Sequence, residues 1–185
     1  MDRPFEVALE PLDAAAFASF GQIVGAPEGA PVFTGPHIDS WRLDFAVEGG
    51  VELMFTRYHH QAMVFTRMER HTSVTQAFLP LDCSPSVMVV ATTSGAEARP
   101  TPETVRAFYV PGDRGIMLWR GTWHALTRFP VHASGAAFAL ITGRETQAEL
   151  EREARDGTRP RLTEVIDFAA QGGSCLVVDP AGLLP

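Results

Sequence analysis

Cysteine is scarce in this sequence of 185 residues. Cys83 and Cys175 are its two thiols, and they are not arranged as a Cys-x-x-Cys pair. We therefore expect no disulfide framework, although a bond between these two cysteines stays open at this point. Such scarcity is typical of proteins from a reducing compartment, which predicts a cytoplasmic location.

Long apolar runs and an excess of positive charge are also missing. No segment approaches the roughly 18 consecutive apolar residues of a membrane helix. The first residues, Met1–Glu6, lack the charged-then-apolar layout of a secretory signal. With 15 basic against 22 acidic residues, the net charge is −7. We therefore expect a protein that binds neither nucleic acid nor membranes.

Short apolar segments separated by turn residues dominate the chain. The 14 prolines and 16 glycines are spread along its length, which is typical of an all-β sandwich or barrel. The length fits one domain over residues 1–185. Two peripheral helices are predicted, one over Asp13–Phe20 with Asp13 as its N-cap and a charged one over Glu145–Arg155 that ends near Gly157.

Two predicted strands have a face that begins apolar and ends charged. The first carries Val51, Leu53, Phe55, Arg57 and His59 on that face, and the second carries Phe65, Arg67, Glu69 and His71. Such faces favour a barrel that is closed at one end and lined by polar groups at the other. The alternative is that the charged ends of both strands have simply reached solvent.

Four polar residues form the strongest candidate site. Glu69 and His71 are two residues apart, so a strand directs both to the same side, and Gln76 is predicted to return on the neighbouring strand and face them. His124 follows the turn at Gly121 and adds a second imidazole from a distant strand. A carboxylate, two imidazoles and an amide can either bind a divalent metal or hold a polar substrate and transfer protons.

The spacing of these residues resembles the cupin motifs. Glu69-x-His71-(four residues)-Gln76 is similar to the first motif, His-x-His-(three or four residues)-Glu, and Trp119-x-Gly121-x-x-His124 to the second, Pro-x-Gly-x-x-His. The ureidoglycolate lyase family (also called ureidoglycolate hydrolase) is a closer match. It carries Glu-Arg-His-Pro-x-Gly-(Ser/Thr)-Gln-Ala-Phe-(Ile/Leu)-Pro, where residues 68–81 here are MERHTSVTQAFLPL.

The resemblance covers roughly residues 5 to 145 and implies a mainly β, cupin-type barrel or jelly roll. It leaves a helical, less matched tail after about residue 145. Three positions depart from the family pattern: Thr72 and Val74 stand in place of its proline and glycine, and Ala125 in place of a second histidine. The resemblance also implies a homodimer, because cupins often pair through sheet edges.

The family activity implies roles for these residues. Elimination of urea from ureidoglycolate, which gives glyoxylate, needs a base, an acid and a cation for the substrate carboxylate. The catalytic candidates are Glu69, His71 and His124, and the same three with Gln76 are the candidate ligands of a divalent metal, in a site that is either metal-bound or metal-free. The substrate-binding candidates are Arg57, Arg67, Gln76, Arg106 and Trp123.

Several alternatives stay open. Each arginine either binds the carboxylate or has an ordinary surface or ion-pair role, and Trp119 and Trp123 either wall the pocket or pack in the core. The chain is either a lyase of this family or a relative acting on another small hydroxy- or keto-acid, or else a non-catalytic cupin that binds or senses a small organic acid. A metal-dependent oxygenase or isomerase is disfavoured, because Glu69 and Gln76 replace ligands that an oxygenase iron prefers.

Overall fold

Strands are the predominant secondary structure of the computed structural model, which describes residues 4–25, 29–92, 99–171 and 175–180. The first eight strands are β1 (Phe5–Pro11), β2 (Gly21–Val24), β3 (Phe33–Gly35), β4 (Ile38–Ser40), β5 (Val51–Tyr58), β6 (Val64–Phe65), β7 (Arg67–His71) and β8 (Gln76–Pro80). The next eight are β9 (Ser86–Ala91), β10 (Val105–Val110), β11 (Gly115–Leu118), β12 (Trp123–Ala125), β13 (Phe129–Pro130), β14 (Ala136–Gly143), β15 (Thr163–Asp167) and β16 (Leu176–Asp179). The helices of these residues are α1 (Ala14–Phe17), α2 (Arg144–Asp156) and the 3₁₀ turns Pro102–Thr104 and Ala169–Gln171.

Most of the strands belong to two large sheets. In the nine-stranded sheet the order is β15-β7-β12-β9-β10-β1-β16-β6, and β13 also pairs with β9. In the five-stranded sheet the order is β2-β11-β8-β14-β5, and β3 and β4 form a separate hairpin. The motif strands β7 and β12 are therefore neighbours in one sheet, whereas β8 lies in the other.

Two apolar clusters fill the interior. The nine-stranded sheet curls around the first, which includes Met68, Val89 and Trp123. The second, which includes Val90 and Phe138, lies between the two sheets. Every residue of β9 is buried, because its alternate side chains enter different clusters. The prediction of a mainly β, cupin-like barrel with a few peripheral helices is confirmed.

Both predicted helices are present, with slightly different bounds. Asp13 caps α1 by accepting a hydrogen bond from the Ala16 amide at 3.0 Å, but this helix ends at Phe17 rather than Phe20. The charged helix α2 ends at Asp156 and is capped by Gly157, which adopts a left-handed φ of 75° that favours glycine. No helix among the residues that the structure describes is long and apolar enough to cross a membrane.

The segment 51–71 differs from its prediction in two ways. The second predicted strand, which carries Phe65 and His71, is divided at Thr66 into β6 and β7. On β5 the predicted inner face is the outer one, since Leu53 and Phe55 are 69% and 67% exposed. The alternate residues, such as Thr56 and Tyr58, face the interior instead, because successive side chains of a strand point to opposite sides.

Candidate active site

Strand pairing brings the carboxylate and both imidazoles together. Glu69 lies directly opposite His124 on the adjacent antiparallel strand β12, and His71 is two residues further along β7. All three side chains point to the same face of the nine-stranded sheet, where His71 and His124 are only 3% and 4% exposed. These three residues therefore lie close together, as predicted, although His124 is far from Glu69 in the sequence.

The turn before β12 sets the direction of His124. Gly121 has a φ of 77°, a left-handed conformation that favours glycine. Its amide donates to the His71 carbonyl oxygen at 2.8 Å, which connects this turn to the end of β7. The turn therefore aligns the two histidine-bearing strands.

Each imidazole is held through Nδ1 and points Nε2 at the carboxylate. Nδ1 of His71 is 2.8 Å from Oγ1 of Thr163, and Nδ1 of His124 is 3.1 Å from the Thr122 carbonyl oxygen. The two Nε2 atoms lie 3.7 Å and 3.5 Å from Oε1 of Glu69. This leaves one carboxylate oxygen between two imidazole nitrogens.

The hydrogen bond of His124 to Thr122 determines which ring nitrogen of His124 carries the hydrogen. A carbonyl oxygen can only accept a hydrogen bond, so Nδ1 of His124 is the donor to Thr122. In the neutral ring, Nε2 then carries a lone pair that faces Oε1 of Glu69. Two facing lone pairs repel unless a proton or a cation lies between them, so this position is suited to proton transfer or to metal binding.

Burial and mutual charge shift the pKa values of this cluster. Desolvation, assisted by the charge of His124 and opposed by Glu69, lowers the pKa of His71 to about 4. For Glu69, desolvation opposes ionisation, but the hydrogen bond and charge of His124, with the charges of His71 and Arg67, leave its pKa below the ordinary value. At neutral pH the site therefore holds an ionised carboxylate beside a neutral His71.

Gln76 faces this cluster from the opposite sheet, not from a neighbouring strand as predicted. The chain leaves β7 after His71 and crosses to β8 in the five-stranded sheet, where Gln76 is its first residue. Its Nε2 donates to Oγ1 of Thr142 at 3.2 Å, whereas its buried Oε1 has no hydrogen-bond partner among the described residues. An amide oxygen is thus available to a ligand.

A cavity of about 210 Å³ separates the two sheets at this point. Glu69, His71, Gln76 and His124 line it together with Gln147 and Leu150 of α2 and apolar residues of β5, β8, β9 and β14. Drug-sized ligands occupy pockets of roughly 300–1,000 Å³. The cavity therefore suits a ligand smaller than these.

Two ionisable residues that the sequence reasoning missed, Arg128 and Tyr58, also line this cavity. Arg128 is 1% exposed, and its guanidinium carbon lies 4.7 Å and 4.8 Å from the ring centres of Phe78 and Phe138. Tyr58 packs edge-on against Phe138 and contributes its phenol. Desolvation raises the pKa of Tyr58, opposed by Arg128 and assisted by Glu69.

Alternation along β5 was the available signal for Tyr58, whereas no strand pattern indicated Arg128. Tyr58 alternates with the outward-facing residues of β5, whereas Arg128 lies in the irregular segment between β12 and β13.

The three predicted arginines have different positions. Arg67 is exposed near Glu69 and lines a shallow depression beside α2, at the rim of the cavity. Arg57 does not line the cavity, because it lies on the outer face of β5. Arg106 does not line the cavity either, since it forms an ion pair with Glu10 and donates to the Ala16 carbonyl oxygen at 3.0 Å.

The tryptophans of the second motif pack instead of lining this cavity. Trp123 is adjacent to His124 on β12 and therefore points to the other side of the sheet, where it is 1% exposed in the first apolar cluster. Trp123, predicted to bind substrate, therefore does not line this cavity. Trp119 donates from its indole nitrogen to the Ala18 carbonyl oxygen at 2.9 Å.

The cluster also fits a divalent cation. One ligand atom from each of Glu69, His71 and His124 lies within 4.8 Å of the others. Bonds of about 2.1 Å to a metal such as zinc would require ligand atoms roughly 3–3.5 Å apart, so small side-chain movements would complete the set. The buried Nε2 of His71 has no hydrogen-bond partner among the described residues, which supports this fit.

The fold and the site together define a β-barrel protein with acid–base groups lining an interior cavity. A family model described as "Ureidoglycolate lyase" matches residues 5–160. Among the curated relatives, the ureidoglycolate lyase of Rhodobacter capsulatus is 36% identical over 134 residues, covering 69% of this chain and 80% of the relative.

Two further relatives agree. The ureidoglycolate lyase of Burkholderia mallei is 35% identical over 127 residues, covering 64% of this chain and 72% of the relative. The enzyme of the same name from Azotobacter vinelandii is 32% identical over 127 residues, covering 64% and 74%. The chain belongs to the ureidoglycolate lyase family, which confirms the resemblance found in the motif.

Proposed function

We propose that this protein is a ureidoglycolate lyase, which eliminates urea from ureidoglycolate and gives glyoxylate. The observation that carries the proposal is Oε1 of Glu69, placed 3.7 Å and 3.5 Å from the Nε2 atoms of His71 and His124 in a buried cavity. The match to the family over residues 5–160 supports the same activity.

The reaction exchanges one proton between the substrate and this cluster. A neutral imidazole accepts the proton of the C2 hydroxyl group, and the O–H electron pair forms the aldehyde carbonyl of glyoxylate. The C–N bond breaks towards the urea nitrogen, which receives a proton from the cluster. The cluster gains one proton and returns one, so no oxidant or further reactant is needed.

His71 is assigned as the proton acceptor and the Glu69–His124 pair as the proton donor. Burial keeps His71 neutral at pH 7, because its pKa is lowered to about 4. The carboxylate of Glu69 contacts both rings, so a proton taken up at one Nε2 can be passed to the other. Positioned acid–base groups of this kind typically accelerate reactions by about 10²–10⁴-fold.

A divalent metal at Glu69, His71 and His124, with Gln76 as a further oxygen ligand, would supply Lewis-acid stabilisation of the developing alkoxide. These residues then serve as ligands, and the free Oε1 of Gln76 lies in the same cavity. The metal-free and the metal-bound mechanism depend on the same cluster. They differ in whether a chelator removes the activity.

Glyoxylate release from ureidoglycolate, measured with a chelator and with added divalent metals, tests the proposal. Glu69→Gln is expected to lower kcat by at least about 100-fold, because the substitution removes the negative charge between the imidazoles. Glu164→Gln is the matched control, since Glu164 pairs with Arg70 on the surface.

Absence of glyoxylate under every metal condition, or a Glu69→Gln protein as active as wild type, would overturn the lyase proposal. Binding of a small carboxylate without turnover would instead assign the alternative, a non-catalytic protein that binds or senses an organic acid.

The proposed activity also suggests a setting. Glyoxylate formation from ureidoglycolate would place the protein in allantoin and purine breakdown. Both cysteines are free, which supports a cytoplasmic location.

We propose a homodimer as the assembly. On the outer face of the edge strand β5, Val51, Leu53 and Phe55 are 47%, 69% and 67% exposed. A second copy of the chain would cover this apolar surface and the unpaired strand edge.

A further inference from the structure

Arg128 is a buried cation that has no carboxylate counter-ion among the residues that the structure describes. Arg128 is only 1% exposed, yet none of its three guanidinium nitrogens has a hydrogen-bond partner among the described residues. Desolvation lowers its pKa, opposed by Tyr58, to about 10, which leaves the group charged at neutral pH. A buried charge of this kind destabilises the folded protein unless a partner compensates it.

Aromatic contacts compensate only part of this cost. The rings of Phe78 and Phe138 lie 4.7 Å and 4.8 Å from the guanidinium carbon, which stabilises the charge through cation–π interactions. They offer no hydrogen-bond acceptor, so the five N–H groups stay available. Arg128 lines the cavity that contains Glu69, His71 and His124, and an anion in that cavity would supply the missing acceptors.

We propose that Arg128 binds the carboxylate of the substrate and thereby directs its hydroxyl-bearing carbon towards Glu69, His71 and His124. The ligand class that follows is a small 2-hydroxy- or 2-oxocarboxylate. A guanidinium can bind a carboxylate through two parallel hydrogen bonds, which fixes orientation as well as affinity. The inference rests on the proposed function for the identity of the reacting carbon, but carboxylate binding can be measured without turnover.

The contrast with Arg106 identifies what is unusual about Arg128. Arg106 also lies over two phenylalanine rings, 4.8 Å from that of Phe108 and 5.8 Å from that of Phe20. Its guanidinium, however, is already paired with the carboxylate of Glu10. The two arginines have similar aromatic surroundings, but only Arg106 is paired with a carboxylate of the protein among the described residues.

Titration with glycolate and with its neutral amide, glycolamide, tests the inference by calorimetry. Wild type is expected to bind glycolate more tightly than glycolamide by at least about 100-fold, and Arg128→Met should remove this difference. Arg128→Lys should recover only part of this difference in affinity, because an ammonium group cannot form the bidentate pair of hydrogen bonds that a guanidinium forms with a carboxylate. Arg106→Met, the matched control, should bind glycolate as wild type does.

Each outcome separates this inference from the lyase proposal. Glycolate binding that depends on Arg128 without any turnover of ureidoglycolate would sustain the inference and reject the activity. Turnover with an unchanged KM in Arg128→Met, or equal wild-type affinities for glycolate and glycolamide, would reject the inference.

A folding failure would not obscure the result. Arg128→Met is expected to melt at or above the wild-type temperature, because it removes an uncompensated buried charge. The wild-type comparison of the two ligands needs no variant.

Discussion

The hydroxyl oxygen of Thr163 lies 2.8 Å from Nδ1 of His71, although the two residues are 92 positions apart in the chain. Register on the adjacent strands β7 and β15 places them directly opposite each other. Thr163 lies beyond the residues 5–160 that match the family model. The tail that the motif resemblance left unmatched thus supplies a group that positions the candidate base.

Replacement of Thr163 by valine is expected to lower kcat by about 10-fold with little change in KM, since orienting partners of a functional histidine contribute effects of this size. Valine keeps the shape of the side chain but removes the contact with Nδ1. The measurement is steady-state glyoxylate release.

Thr163→Ser restores the hydroxyl group and should recover most of the activity. A serine variant as slow as the valine variant would mean that packing, and not the hydrogen bond, positions His71.

Protonation of His71 predicts that the fold loses stability in mild acid. The folded pKa is about 4, mainly because of desolvation, whereas an unperturbed histidine titrates near pH 6.5. Between these values the unfolded chain binds more protons, so the free energy of unfolding falls as pH decreases through this window. The full loss is on the order of 3 kcal/mol and is reached only near the folded pKa.

Urea denaturation of wild type and His71→Gln at about pH 7.5 and about pH 5 measures this contribution. Wild type should lose roughly 2 kcal/mol more than the variant between the two conditions. His132→Gln changes an exposed histidine and should retain the wild-type loss. Identical losses in wild type and His71→Gln would exclude His71 as the source.

Alternation along β7 and the turn at Gly121 made the central cluster predictable. Glu69 and His71 share a face as their spacing requires, and the glycine lies where a positive φ is needed. Alternation does not reveal which face of a strand points inward. For β5 the apolar face is the outer one, so Arg57 was assigned to the cavity when Tyr58 belongs there.

Long-range pairing could not be predicted from spacing. Gln76 reaches the site from the second sheet, and Thr163 arrives through a strand near the end of the chain. Arg128 resembles a surface residue in the sequence, because charged residues are rarely buried without a partner. Only the packing of Phe78 and Phe138 reveals its environment.

The backbone at Gly121 provides a test of how tightly the turn controls catalysis. Gly121 and Gly157 have φ values of 77° and 75°, and an added Cβ would meet no atom within 4 Å at either position. Alanine should therefore cost about 1 kcal/mol of stability at both sites through backbone strain alone. Only Gly121→Ala is expected to reduce kcat, because this turn connects His71 to the strand of His124.

Melting temperatures and kcat of the two alanine variants give the comparison. Similar melting temperatures with a lower kcat for Gly121→Ala would support control by the turn. Equal activity in both variants would show that His124 keeps its position without the glycine.

The apolar outer face of β5 predicts how the proposed homodimer is broken. Leu53→Glu combined with Phe55→Glu would place two negative charges where a second copy should pack, and like charges across a symmetric interface repel. Light scattering should then report a monomer, whereas Val64→Glu, at an exposed position on β6 in the other sheet, should leave the dimer intact. Both residues of β5 point away from the cavity, so a folded monomer should retain carboxylate binding. A wild-type monomer, or a double variant that stays dimeric, would mean that β5 is not the interface.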